Sequence, residues 1–272
     1  MSRRQPQLLA AGVVLIVALY STLLLPRSIV RPLTHEDGPF EYVGALGLFV
    51  TALLFAAGYV RLRRRDPSGA TGVWRRRALL VLAIVFVFGA GEEISWGQRI
   101  LGLETPESLE SINDQGEINL HNLKPVTGMS YQLFLAGWYS FVLVAPLLAA
   151  LSGGARRRLE RLVPLVPLPL GALFIVNYVA SQISVFAVPG LDWLQAQAIA
   201  SAQVVQGALG DAGVLVLAAV YPINRSPLGE VQELVVSLLA VITAWVVFRR
   251  LPGPAPAREG PAPRETLSAR AD

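Results

Sequence analysis

Seven apolar blocks, covering residues 8–25, 40–60, 78–96, 131–151, 162–185, 204–220 and 231–248, constrain what this chain can become. Each is near the roughly 20 residues that cross a bilayer as a helix. Hydrocarbon offers no water to backbone N–H and C=O groups, so each block must satisfy them internally, which a helix does. The composition agrees. Hydrophobic residues make up 53% of the chain and charged residues 15%, where soluble domains carry about 25% charged residues. The expected fold is all-α, a polytopic transmembrane helical bundle of six to eight spans over residues 1–250. The absence of cysteine excludes disulfides, thiolate nucleophiles and Cys-based zinc or iron–sulfur sites.

Arginine clusters orient the bundle. Seven arginines (61, 63, 64, 65, 75, 76 and 77) separate the second and third blocks, and Arg156, Arg157, Arg158 and Arg161 separate the fourth and fifth. The positive-inside rule places both loops, and the N-terminus with Arg3 and Arg4, in the cytoplasm. Short juxtamembrane loops hold such charge by default, so no nucleic-acid partner is expected. The loops 26–39 and 97–128 then face outward, the second carrying Glu104, Glu107, Glu110, Asp114 and Glu117. The first block has no small-x-small cleavage site close behind it and reads as a retained span rather than a signal peptide. The expected location is the bacterial inner membrane.

Seven crossings would leave Arg249 and Arg250 outside, whereas an even number keeps them in. Segment 186–203, with Pro189-Gly190, reads as an interfacial helix or part of a broken crossing. Block 204–220, interrupted by Gln206, Gly207, Gly210, Asp211 and Gly213, is the weakest crossing and a re-entrant candidate. Residues 251–272, rich in Pro, Ala and Arg, read as a disordered cytoplasmic tail.

Glu92 and Glu93 close the third block, inside Gly91-Glu92-Glu93-Ile94-Ser95-Trp96-Gly97-Gln98-Arg99. Carboxylates near hydrocarbon are costly and need a partner, a wet cavity or a function. Helical spacing puts Glu92, Ser95, Trp96 and Arg99 near one face, while adjacent carboxylates diverge by about 100°. Thr105 and Pro106 read as the N-cap and first position of a short interfacial helix ending near Ile112. Beyond it lies Asn113-Asp114-Gln115-Gly116-Glu117-Ile118-Asn119-Leu120-His121-Asn122. If extended, it turns Glu117, Asn119 and His121 to one side; if helical, Glu117 and His121 stand at i and i+4.

These residues suggest a membrane-embedded hydrolase or group transferase acting on a lipid or lipid-linked substrate at the outer interface. Glu92, Glu93 and His121 are the catalytic candidates. With Glu117 they form a candidate set of divalent-metal ligands, and His35, Glu230 and Glu233 are weaker ones. Ser95, Trp96, Gln98, Arg99, Asn113, Gln115, Asn119 and Asn122 are the substrate-binding candidates. A structural account is equally concrete. In it Glu92 or Glu93 pairs with Arg99 or Lys124, and the Asn/Gln/His run braces the loop onto the bundle. The chain would then be a transporter, or a lipid-binding or scaffold protein. Asn177, Ser181 and Ser184 share a helical face that either lines a cavity or holds polar groups bonded to one another.

The two motifs, GEEISWGQR and NxQGExNLHN, resemble the signature of an uncharacterised family of bacterial multi-pass membrane proteins. The match spans about 35 residues, and it implies a shared fold class and site rather than a reaction. A more distant similarity, to seven-helix membrane hydrolases that include the alkaline ceramidases, lies in Glu, Ser and His near helix ends. The His-x-x-x-His pair of such a site is absent here.

Overall fold

A computed structural model describes residues 4–25, 27–35, 38–65, 72–113, 116–120, 122–124, 129–184 and 226–253. The expected segments 186–203 and 204–220 lie outside these, as does the tail from 254 onward. Every regular element among the described residues is helical. In chain order they are α1 (Arg4–Ser21), α2 (Arg27–Leu33), α3 (Pro39–Arg65), α4 (Val73–Glu93), α5 (Gln98–Leu101) and α6 (Glu107–Glu110). Then come α7 (Met129–Tyr139), α8 (Ala145–Leu151), α9 (Gly153–Leu162), α10 (Leu168–Ser184) and α11 (Ser226–Arg250). Four helical stretches are long and apolar enough to cross a membrane: Pro6–Leu24, Pro39–Arg65, Leu133–Leu151 and Pro227–Arg250. Counting α4 and its bent continuation as one span makes five.

The longest helix shows why these sequences choose this state. α3 opens on Pro39, whose missing N–H is no loss at a first helical position, carries Glu41 in its first turn and ends on Arg63, Arg64 and Arg65. Its 27 residues span about 40 Å. One side buries Gly44, Gly47, Thr51, Phe55 and Gly58, while Leu46, Phe49 and Leu53 remain exposed. A helix that is apolar outside as well as inside suits a membrane or the interior of a larger assembly. The small residues bring α11 close, and a Cβ built on Gly47 would lie 3.3 Å from the Ser237 Cβ.

α4 also packs on α3, through Phe55 and Phe86, with ring centroids 5.8 Å apart. Trp138 of α7 continues this cluster, 4.9 Å from Phe86 and 5.7 Å from Phe174 of α10. α7 and α8 are joined by a π-helical turn, Ser140–Val144, just ahead of Pro146. Gly171 of α10 lies against the Val142 carbonyl within that turn, where any side chain would collide with backbone.

Two sequence expectations change. Block 162–185 becomes helical later than expected: Pro164 and Pro167 keep the chain out of helix until α10 begins at Leu168, and α10 is described as far as Ser184. The arginine loop before it is itself the amphipathic helix α9, capped by Ser152, whose side chain accepts the Ala155 N–H at 3.3 Å. Arg156 pairs with Glu160 one turn on at 3.0 Å.

Replacing Gly171 with leucine should cost about 1–3 kcal/mol through overpacking. Gly137→Leu, where nothing lies within 4 Å of the built Cβ, should leave stability nearly unchanged. Thermal unfolding in detergent measures the difference, and equal midpoints for the two variants would refute the packing.

Candidate functional site

The third apolar block stops being a helix sooner than its hydropathy requires. α4 ends at Glu93, and Ser95, Trp96 and Gly97 follow with φ of 45°, 55° and 76°. Glycine takes this left-handed conformation freely, but Ser95 and Trp96 do not. They are the only non-glycine residues with positive φ among the described residues, and each costs about 1–2 kcal/mol. The chain leaves at 67° to α4. The face that helical spacing would give Glu92, Ser95, Trp96 and Arg99 therefore does not form. Instead Trp96 folds back on α4. Its indole Nε1 donates to Glu92 Oε1 at 2.7 Å and its ring meets Phe88 edge-on at 5.4 Å. The ring covers Gly91, where a Cβ would lie 2.7 Å from Trp96 Cε3.

After α5 the chain turns through Gly102, at φ 64°. The short helix α6 starts at Glu107 with Pro106 as its N-cap, one residue later than the sequence suggests, because Thr105 is occupied elsewhere. An antiparallel bridge between Asn113 and Leu123 then closes a loop. Across it runs the non-helical, bent segment 116–120, in which Glu117 and Asn119 are buried and Leu120 is exposed.

The buried side chains interlock with the turn. The Glu117 carboxylate accepts from Ser95 Oγ, from Asn119 Nδ2 at 2.9 Å, and from the guanidinium of Arg99 in an ion pair. Asn119 Nδ2 also donates to Ser95 Oγ at 3.0 Å, and its Oδ1 accepts from Asn113 Nδ2 at 2.9 Å. Asn113 Oδ1 receives the Glu117 backbone N–H at 3.2 Å. Gln98 Oε1 accepts the Ile118 N–H at 2.6 Å while its Nε2 donates to Thr105 Oγ1, whose hydroxyl donates to the Gly116 carbonyl at 2.7 Å. Glu92 Oε2 accepts the Leu120 N–H at 2.7 Å. Loop backbone and loop side chains are thus both held by residues 92–99.

The site candidates divide into three groups. Glu92, Ser95, Trp96, Gln98, Arg99, Asn113, Glu117 and Asn119 belong to this clamp. Arg99 pairs with Glu117, the acid that the structural account of the sequence did not name for it. His121 and Gln115 lie outside the described residues, and Asn122 is half-buried beside the closing bridge. Glu93 is the exception. Half-buried, it lies within electrostatic reach of Glu41 near the start of α3, Glu230 near the start of α11, and Glu92. Sequence reasoning missed Glu41, which reads as an ordinary helix-start acid. Among the described residues no group of three or more His, Asp and Glu is arranged to hold a metal ion.

A second polar set ties α1, α10 and α11 together. Fully buried Asn177 accepts the Tyr20 hydroxyl at 3.0 Å, and Ser181 donates to Gln232 at 2.9 Å. Ser184 donates to the Ala180 carbonyl of its own helix at 2.9 Å. Asn177 and Ser181 therefore bond across helices, as the second alternative for that face requires.

No family model, no curated protein and no solved structure matches the chain.

Removing the Glu117 carboxylate takes away the acceptor that Arg99, Ser95 and Asn119 share and should destabilise the closed loop by about 2–3 kcal/mol. In Glu117→Ala, a glutamate-specific protease should cut after Glu104, Glu107 or Glu110 roughly tenfold faster or more, with the bundle helices intact. Unchanged cleavage kinetics would show that the clamp does not hold the loop.

Proposed function

We propose that the chain is a multi-pass protein of the bacterial cytoplasmic membrane that serves as a lipid-binding or scaffold component, its GEEISWGQR turn and NxQGExNLHN loop forming a rigid interfacial cap. Six or eight spans, with N-terminus and tail in the cytoplasm and the cap facing outward, satisfy the arginine distribution. The observation that carries this reading is the use made of the polar residues. Glu92 and Glu117, half of the candidate metal set, direct their oxygens to Trp96, the Leu120 N–H, Ser95, Asn119 and Arg99. The apolar residues Trp96, Ile100, Leu101, Leu103, Ile112 and Leu120 are all exposed. A cap polar within and apolar without suits the headgroup boundary, where indole rings gather. It can seat membrane lipid or a partner protein without performing chemistry.

A second reading is favoured by Glu93. It stands next to the clamp and lies within electrostatic reach of acids from two other helices. In a membrane-embedded hydrolase or group transferase acting on a lipid or lipid-linked substrate, Glu93 would be the acid, base or metal ligand, with His121 as its partner on the loop.

Metal content and lipid turnover of the purified full-length protein separate the two. On the scaffold reading, Glu93→Gln and His121→Ala fold and alter neither quantity, while Glu117→Gln loosens the cap. Loss of a stoichiometric divalent ion, or of turnover of a lipid-linked substrate, in folded Glu93→Gln would replace the scaffold reading with the enzymatic one.

A further inference from the structure

The end of the bundle away from the cap carries a groove of different chemistry. It lies between α1 and α11, has a volume of about 1050 Å³, and is lined on one wall by Leu8, Ala11 and Leu15 and on the other by Ile242, Trp245 and Val246. Small residues on α1 leave the room. Gly12 faces Leu173 of α10, where a Cβ would lie 2.9 Å from Cδ2, so α10 backs this part of α1. The polar lining residues, Gln7, Arg249 and Arg250, all come from the end where α1 begins and α11 finishes. Nineteen positions of α11 separate Glu230 from Arg249, or about 28 Å of helix, so the groove is remote from the cap.

That polarity is the shape of an amphiphile. Apolar walls run along the helices and two guanidinium groups stand at one mouth. The Arg249 guanidinium lies over the Trp245 ring at 5.6 Å, an arrangement suited to the headgroup level. The mouth is also held in place. Arg61 donates to the Pro252 carbonyl at 2.9 Å and Arg65 to the Gly253 carbonyl at 2.8 Å, fastening the chain after α11 to the end of α3. We propose that this groove holds an acyl chain of one anionic phospholipid, with Arg249 and Arg250 on its phosphate. Charge decides the headgroup class, because a zwitterionic lipid brings an ammonium group toward the same two arginines. The inference rests on the proposed membrane placement and is independent of what the cap does.

The test is native mass spectrometry of the full-length protein in detergent, titrated with palmitoyl-oleoyl-phosphatidylglycerol and with the matching phosphatidylcholine. The wild type should retain one phosphatidylglycerol in preference to phosphatidylcholine. Replacing both groove arginines (Arg249→Gln with Arg250→Gln) should weaken that binding by about 10- to 30-fold. The control pair Arg63→Gln with Arg64→Gln removes exposed arginines of α3 that do not line the groove, and should leave binding unchanged. Filling the groove with Ala11→Trp, or separately Leu8→Trp, should abolish retention of both lipids while the protein still melts cooperatively. Equal binding of the two lipids, equal losses from both arginine pairs, or full binding in the filled variants would overturn the proposal. So would a dimer, or a cross-link from Ala11 to residues 185–225, showing another occupant. Failure of the membrane placement itself would appear separately, as wild-type protein released from membranes by alkaline carbonate.

Discussion

A carboxylate buried at the end of an apolar bundle must be met by donors, and at Glu117 that demand organises everything around it. Its donors come from two places: Asn119 from its own segment, and Ser95 and Arg99 from just beyond α4, 22 and 18 residues away in sequence. A continued helix would place Ser95 and Arg99 one turn apart along its axis. Bringing both to one carboxylate goes with the left-handed turn, taken at two residues that resist it. The cost of a few kcal/mol is offset by charge-assisted hydrogen bonds, each worth about 1.5–3 kcal/mol, and by what the turn makes available. Trp96 lands on Gly91 and Phe88, and Gln98 reaches both the Ile118 amide and the Thr105 hydroxyl. Turn and loop form one unit, because neither satisfies its buried polar groups without the other.

This coupling explains how two adjacent glutamates come to do different work. Glu92 is spent on holding the indole and the Leu120 amide. Glu93, one position further round the helix, lies within electrostatic reach of the acids near the starts of α3 and α11. The opposite end of the molecule uses charge differently. Arginines there close helix ends, tie the chain after α11 to α3, and stand at the mouth of an apolar groove.

The described helices were legible from the apolar blocks because length and hydropathy act locally, but a block read on hydropathy passed over Pro164 and Pro167, which delay helix until Leu168. The sequence left the stretch 117–120 open between extended and helical; it is not helical, and Glu117 and Asn119 are both buried. Its orientation did not follow, since only the position of Ser95 makes the polar side the inner one. The turn itself left one local trace, Gly97; nothing about a serine or a tryptophan announces positive φ. The residues of the site were therefore found and several of their partnerships were not. Arg99 meets Glu117, and Thr105 bonds to Gln98 and Gly116 rather than capping α6. Glu41 escaped notice because an acid at a helix start has a sufficient local explanation. Pairings across tens of residues are set by tertiary packing, and pattern along the chain does not carry them.

The central claim is that the cap is one rigid unit held by residues 92–99. Amide hydrogen exchange at Ile118 and Leu120 in the wild-type protein tests it most directly, since their N–H groups are given to Gln98 and Glu92. The account predicts strong protection at both amides, lost together when the unit opens. Exchange at the rate of an unstructured loop, or protection at one amide without the other, would contradict it.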